Sequence, residues 1–178
     1  MDSINRNQSE DTHKNVSGAE AAKRIQEMTD DAESCFFCTS EKAGESKGVR
    51  PMSVQKADDQ GRLWFLSASD SHKNQEIKND PKVRIFLQGS KHAGFLMLDG
   101  QATISRDPAR IDELWNPIMK TWFTDGKDDA RITVICVTPT DGYYWDNKHG
   151  SLVAATKMVI GAAIGKTLDD SVEGQVSL

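Results

Sequence analysis

The chain has 178 residues, of which 37% are hydrophobic and 28% charged, a balance typical of one globular domain with an ordinary core. Its formal net charge of -5 argues against a protein that binds the nucleic-acid backbone, because such proteins need a basic surface to displace counterions. The polar N-terminus carries no apolar signal segment and no stretch reaches the roughly 20 apolar residues that span a bilayer, so we expect a cytoplasmic protein without a membrane partner.

The N-terminal part of the chain changes character at residue 17. Residues 1–16 carry almost no apolar side chains and are predicted to form a flexible tail. Ser17 and Glu20 have the spacing of a capping box, which marks the start of a helix. Apolar residues then recur at helical intervals on one face: Ala22, Ile25, Met28 and Ala32. We therefore expect an ordered domain over residues 17–165 that begins with a helix.

The middle of the chain is rich in strand-forming residues. Seven runs, most of them bounded by Gly, Pro, Asp, Asn or Ser, are predicted strands: SCFFCT, VRPMSVQ, RLWFLSA, KVRIFLQ, AGFLMLDGQATIS, RITVICVTP and DGYYWD. A short helix is predicted to start near Asp70 or Ser71 and to stop before Pro81. Because the strands follow one another without a regular helix after each, the pattern favours a mostly β (α+β) antiparallel barrel with peripheral helices over a parallel sheet.

Two further helices are predicted towards the C-terminus. Asp107 followed by Pro108 is a good helix start, and Pro117 is expected to kink or divide the helix that follows. An apolar segment at residues 151–165 is predicted to be the last helix. Residues 166–178 are polar and receive no predicted structure.

One strand combines a cation with apolar residues. Alternate residues of a strand point the same way, so Arg50 and Met52 share a face. An arginine fork suits a phosphate and an apolar face suits a flat ring. The alternative is a surface arginine on an edge strand, with which Pro51 is equally consistent.

The turn before the short helix is a candidate anion site. Its hydroxyls and backbone N–H groups could face an anion at the helix N-terminus, and Lys73 would add a charge there. A lysine in the first turn of a helix opposes the macrodipole, which an anion would offset. The alternative is a solvated lysine beside a serine-rich turn formed by Ser67, Ser69 and Ser71.

Other motifs are absent or are better explained by packing. Cys35 and Cys38 have CxxC spacing, but residues three apart in a strand point to opposite faces and cannot chelate one ion. The four histidines are scattered, so no metal site is predicted. There is no Gly-x-Ser-x-Gly elbow, Walker loop or Gly-x-Gly-x-x-Gly fingerprint. The aromatic clusters around residues 115, 122 and 145 are mostly core, although one or two could stack on a planar cofactor.

Taken in order, a set of motifs resembles the pyridoxamine-phosphate-oxidase-like family, and most closely its bacterial general stress proteins: RPM, WFLSASDSHKNQEIKNDPKVRIFL, LMLDGQATISRDPARIDELW, WFTDGKDD and YYWD. The resemblance runs from about residue 32 to about residue 165. It implies a Greek-key split β-barrel that binds FMN and forms a homodimer with flavin at the subunit interface.

The resemblance also implies which residues contact the flavin. The positions that match the family motifs are Arg50, Met52, Ser53, Leu66 and Ser67 on two strands, and Ser71, His72 and Lys73 in the phosphate-binding turn. His72 stands where the parent oxidases usually have arginine, which weakens one phosphate contact. Trp115 and the Trp122-Phe123 pair are expected to close over the ring from the partner subunit.

Trp145 lies where the parent oxidases have a tryptophan near the flavin, but the Arg-x-His-x-Arg substrate motif that follows it there is missing. Synthesis of vitamin B6 from pyridoxamine phosphate is therefore not expected. The leading hypothesis is an FMN-binding protein of the general stress type, with a flavin-dependent oxidoreductase activity on an unidentified small substrate. The alternatives are a flavin reservoir or sensor without turnover, an enzyme with another B6-like or deazaflavin ligand, and a dimeric scaffold with an empty pocket.

Overall fold

Strands dominate the computed structural model, which describes residues 12–40, 47–89, 94–147 and 171–178. Its strands are β1 (Val16–Ser17), β2 (Ser34–Thr39), β3 (Val49–Ser53), β4 (Lys56–Ala57), β5 (Leu63–Ala68), β6 (Lys82–Gln88), β7 (Phe95–Ser105), β8 (Ile132–Asn147) and β9 (Ser171–Ser177). Its helices are α1 (Gly18–Ala32), α2 (His72–Asn79) and α3 (Pro108–Leu114), with 3-10 turns at Pro117–Thr121 and Gly126–Asp128. The prediction of a mostly β fold with peripheral helices is confirmed.

The nine strands of the described residues form one mixed sheet that does not close. Its order is β1-β9-β8-β7-β6-β2-β3, and β5 pairs with β8 and with β4. All pairs are antiparallel except β1 with β9. The edge strand β3 approaches β5 only just beyond its end, where the Gln55 N–H donates to the Trp64 carbonyl at 2.9 Å. A gap between β3 and β5 is therefore left along one side of the sheet.

β8 is the organising strand of the fold. It runs along β7 over its length, while its other side pairs first with β5 and then with β9. The change of partner falls near a register shift between Asp99 and Gly100, a bulge of the kind that bends a sheet. The sequence predicts two separate strands here, RITVICVTP and DGYYWD, and in the structure both belong to the single strand β8.

Two clusters of buried side chains lie on opposite faces of β5. Leu63 and Phe65 point into the larger one, which α1 covers, and Phe65 packs edge-to-face on Phe37 at 5.3 Å. Trp64 and Leu66 point into the smaller one, beneath α3. Strand β5 is consequently buried on both faces. Strand β6 differs, because its exposed and buried residues alternate strictly, as is typical of a sheet with one solvated face.

The three described helices begin directly after the predicted residues Ser17, Ser71 and Asp107, although only the Asp107 side chain makes a capping hydrogen bond. α2 begins directly after Ser71, as predicted. α3 begins after Asp107, whose carboxylate accepts from the Ala109 N–H at 3.0 Å, and Pro117 opens a separate 3-10 turn. The predicted capping box at Ser17 is wrong in detail, because that side chain makes no capping hydrogen bond. Packing of the α1 face, with Ile25 fully buried, stabilises that helix instead.

The chain termini differ from the prediction. Residues 171–177, part of the polar tail that received no predicted structure, form β9 against β8. Residues 12–17, most of them predicted to be flexible, run beside β9: Val16 pairs with Val176, and the Lys14 N–H donates to the Glu173 carbonyl at 2.8 Å. The rest of the predicted N-terminal tail and the predicted helix at 151–165 lie outside the described residues. Among the helices that are described, none is long and apolar enough to cross a membrane.

Candidate functional site

A cavity of about 410 Å³ opens where β3, β5, the start of α2 and the 3-10 turn after Pro117 meet. Six residues predicted to contact flavin line it together: Met52, Ser53, Leu66, Ser67, Lys73 and Trp122. Phe123, the neighbour of Trp122, also lines it. Five more lining residues were not predicted: Ser34, Pro51, Gln55, Ala68 and Met119. Its size is within the range of small-molecule sites, and its lining combines apolar walls with a few polar groups.

One wall of the cavity is held in place by a side-chain hydrogen bond that no sequence motif predicts. The Asn116 amide donates to the Gln55 side-chain oxygen at 2.9 Å, and its own oxygen accepts from the Ile118 N–H at 3.2 Å. Asn116 therefore caps the 3-10 turn and links it to the end of β3. This turn brings Met119 and Trp122 to the cavity, and Trp122 is left 59% exposed.

Beside the cavity, a closed ring of hydrogen bonds joins β5, α2 and β8. The Ser67 hydroxyl donates to Asn74 Oδ1 at 2.9 Å, Asn74 Nδ2 donates to Thr133 Oγ1 at 2.8 Å, and the Thr133 hydroxyl donates to the Ser67 carbonyl at 2.9 Å. All three residues are buried. Because every polar atom in this ring has a partner, the ring holds the first turn of α2 in a defined place against the sheet. Ser71 Oγ lies 3.3 Å from Ser67 Oγ.

Lys73 is the one ionisable residue among the described lining residues of the cavity. Burial, followed by the positive charge of Arg50, lowers the pKa of Lys73, while Glu76 and Asp70 act in the opposite direction. A half-buried lysine beside an arginine is electrostatically unfavourable in the free protein. An anion bound at this point would offset that cost.

Arg50 is not a free surface arginine, although β3 is indeed an edge strand. Its guanidinium lies 2.7 Å from the Glu76 carboxylate and donates to Thr39 Oγ1 at 3.3 Å, and its side chain is only 16% exposed. The Glu76 side chain is fully buried. Arg50 does not line the cavity itself, but its ion pair brings it to the helix that carries Lys73. The predicted sharing of a face by Arg50 and Met52 is confirmed, because both are half-buried between exposed neighbours.

Besides Arg50 and Ser71, three predicted residues are absent from the cavity lining. His72 is exposed at the start of α2. Trp115 packs in the smaller core cluster, with its ring 6.4 Å from that of Phe123. Trp145 lines a second, more apolar cavity of about 600 Å³ on the outer face of the sheet. Ser34 and Pro51 line both cavities, so the two are neighbours.

The outer face at the second cavity exposes large apolar side chains. Phe36 pairs across the strands with Phe86, and Phe95 pairs with Trp145. These four side chains are 43–58% exposed. Contiguous exposed apolar patches of this kind are typical of interaction surfaces and ligand-binding grooves.

No cysteine is among the described residues that line the first cavity. Cys35 is buried and Cys38 is half-exposed on the other face of β2, which confirms that the two thiols diverge. Burial, with a smaller effect from Cys38, raises the pKa of Cys35 to about 12. Within the described ranges, no three His, Cys, Asp or Glu side chains come together as a metal site would require.

The fold and the site together define a class: an open, mostly antiparallel barrel with a cation and a helix N-terminus at one end of a largely apolar cavity. A family model described as "Pyridoxamine 5'-phosphate oxidase like" matches residues 20–169. The chain belongs to this family.

Two curated relatives match parts of the chain. General stress protein 26 of Bacillus subtilis is 33% identical over 83 residues, which is 44% of this chain and 58% of the relative. Protein bli-3 of Neurospora crassa is 26% identical over 107 residues, which is 56% of this chain and 47% of the relative. The chain thus spans about half the length of the curated relatives that it matches.

Solved structures share the fold. A Jannaschia sp. CCS1 protein assigned as general stress protein 26 has a TM-score of 0.75 at 20% identity, covering 90% of this chain and 99% of its own. The general stress FMN/FAD binding protein of Xanthomonas citri has a TM-score of 0.60 at 23% identity, covering 71% and 87%. At these identities the likeness concerns the fold, which is the split barrel expected from the sequence motifs.

Proposed function

We propose that this protein binds FMN in the cavity between β3, β5 and α2, as a flavoprotein of the general stress type. The observation that carries the proposal is Lys73, a half-buried cation beside Arg50 at a helix N-terminus, facing a cavity whose other walls are largely apolar. This donor set suits a phosphate monoester attached to a flat aromatic ring. The relatives named as FMN/FAD binding and FMN binding, from Xanthomonas citri and Nostoc punctiforme, support a flavin.

The two ends of the cavity would hold different parts of the cofactor. Lys73, Ser71 and the free N–H groups at the start of α2 would bind the phosphate, since the first N–H groups of a helix have no intrahelical acceptor. Met52, Leu66 and Trp122 would contact the ring. His72 is exposed and would add at most a peripheral charge. FMN would supply the redox chemistry, while the protein supplies its position and electrostatics.

We further propose a flavin-dependent oxidoreductase activity on a small substrate. Among the described lining residues no side chain is placed to act as a general acid or base other than Lys73, which the phosphate would engage. Chemistry would therefore rest on the ring itself. The alternative, a flavin reservoir or sensor, shares the same binding site and differs only in turnover. The Arg-x-His-x-Arg motif after Trp145 is absent, so pyridoxamine phosphate is not the proposed substrate.

A homodimer would cover the exposed apolar face. The patch of Phe36, Phe86, Phe95 and Trp145 adjoins the first cavity through Pro51, so a second copy seated on it would also border the flavin. Isologous pairing of identical patches is the commonest route to a dimer. Phe86→Glu should convert a dimer into a monomer in sedimentation velocity, whereas Lys82→Glu, on the same exposed face of β6, should not. A wild-type monomer at micromolar concentration would refute this part of the proposal.

Flavin binding can be tested on the purified protein. We expect flavin absorbance after purification or after incubation with FMN. Lys73→Ala should weaken FMN binding by about 10- to 150-fold, because it removes a charge-assisted hydrogen bond worth roughly 1.5–3 kcal/mol. Lys78→Ala, which removes an exposed lysine from the same helix, is the matched control. Absence of FMN uptake by the wild-type chain would refute the proposal.

Reduction of the bound flavin by NADPH, followed by rapid reoxidation by an added acceptor, would support an oxidoreductase. Bound flavin that is not turned over would favour the reservoir or sensor.

A further inference from the structure

Glu76 is a buried carboxylate next to the proposed phosphate end of the cavity. It lies on α2, one turn after Lys73, and its side chain is fully buried. Its Oε2 accepts from Thr39 Oγ1 at 2.7 Å and lies 2.7 Å from Arg50 Nη2. Residues three apart on a helix are neighbours on its surface, so Glu76, Lys73 and the guanidinium of Arg50 converge on one region.

Stability alone is a poor explanation for this ion pair. Removing two charges from water costs about as much as their attraction returns, and apolar residues of similar volume serve a core equally well or better. This ion pair joins the edge strand β3 to the helix that carries Lys73, and it has an electrostatic consequence for the cavity. The negative charge of Glu76 cancels one of the two positive charges nearby.

The other described charges around this region are peripheral. Asp70 and His72 flank the start of α2 and are exposed, so solvent screens them. Arg50, Lys73 and Glu76 are the more buried ones. The region consequently presents about one positive charge to an anion, where Arg50 and Lys73 without Glu76 would present two.

We infer that Glu76 is a positioning residue that holds Arg50 and halves the positive charge available to the ligand phosphate, so that phosphate recognition depends on Lys73. This inference rests on the proposed binding of FMN. Its consequence is a site that takes a phosphate-bearing flavin with moderate preference over the same flavin without phosphate. Glu76→Gln isolates the charge, because glutamine can still accept from Arg50 and Thr39.

The test compares FMN with riboflavin, which lacks the phosphate. In the Glu76→Gln protein the ratio of FMN affinity to riboflavin affinity should rise at least about fivefold, because one unit of charge has been added near the phosphate. Affinity for riboflavin should stay the same. Thr39→Val, which removes an uncharged partner of the same carboxylate, should leave the ratio unchanged. An unchanged or lower ratio in Glu76→Gln overturns the inference.

A second variant tests the inference even if Glu76→Gln does not fold. In Lys73→Met the remaining Arg50 charge is balanced by Glu76, so the preference for FMN should fall to no more than about fivefold, which is what a helix N-terminus alone supplies. A preference that stays above tenfold means that Arg50 acts as an uncompensated cation, and overturns the inference.

Inorganic phosphate separates this inference from the flavin proposal. If no flavin binds to the wild-type protein, phosphate should still raise the melting temperature of Glu76→Gln more than that of the wild type. Equal shifts, or no shift in either protein, overturn the inference about Glu76 independently of the flavin.

Discussion

Replacing Arg50 by methionine should destabilise the protein strongly. The substitution keeps much of the side-chain volume but leaves the buried Glu76 carboxylate without its counter-charge. Breaking a buried ion pair by removing one partner costs about 3–5 kcal/mol. In a domain of this size each kcal/mol lowers the melting temperature by roughly 2–4 °C, so we expect a fall of about 6–20 °C in thermal unfolding followed by circular dichroism.

Two further variants show whether the cause is the loss of the Arg50 charge beside Glu76. Arg84→Met breaks an exposed ion pair with Asp99, whose side chains are 50% and 31% exposed, and should cost less than about 1 kcal/mol. The double variant Arg50→Met/Glu76→Leu removes both charges and should recover most of the loss, because apolar residues can replace a buried pair. If Arg50→Met melts within a few degrees of Arg84→Met, or if the double variant is no more stable than the single one, the reasoning about Glu76 is wrong.

Three other predictions follow from the same region and from β2. Lys73→Met should raise the melting temperature of the flavin-free protein near pH 7, because the lowered pKa of Lys73 means that folding penalises its charged form. This gain in melting temperature should vanish as the pH rises towards 10.5, the ordinary lysine pKa. A gain that is the same at all pH values would contradict this cause. Thr133→Val leaves the buried Asn74 amide without its acceptor and should cost about 1–3 kcal/mol in denaturant unfolding, whereas Thr133→Ser should be close to wild type. Thiol labelling of the native protein at pH 8 should modify Cys35 only on unfolding, since it is buried with a pKa of about 12, and labelling of Cys35 as fast as that of Cys38 would show that β2 opens.

Local signals predicted a large part of the fold. The strands at 34–39 and 82–88 have the predicted bounds, because a short apolar run in the first and buried Val83, Ile85 and Leu87 at alternate positions in the second are local strand signals. α2 begins after Ser71 and α3 after Asp107, as predicted, and the Asp107 carboxylate caps the first turn of its helix. The family motifs predicted that Met52, Leu66 and Lys73 contact the same ligand, and the three residues do line one cavity.

Other features could not be read from neighbouring residues. β9 has only Val172 and Val176 as buried apolar side chains, and it is a strand because β8 and residues 12–17 pair with its two sides. The cavity wall formed by Met119 and Trp122 depends on a contact between Asn116 and Gln55, which are distant in the chain. Trp145, which the motifs group with the flavin contacts, lines the outer cavity, a position that no motif specifies.

The sequence by itself determined that the chain is a mostly β member of the pyridoxamine 5'-phosphate oxidase like family, because periodicity, caps and ordered motifs are local properties. Only the tertiary structure decided how the two cations at the cavity differ. Lys73 faces the cavity, and Arg50 is bound to Glu76, a partner from another element. The effective charge of an arginine depends on what folding brings within a few ångströms of it, and no spacing along the chain specifies that distance.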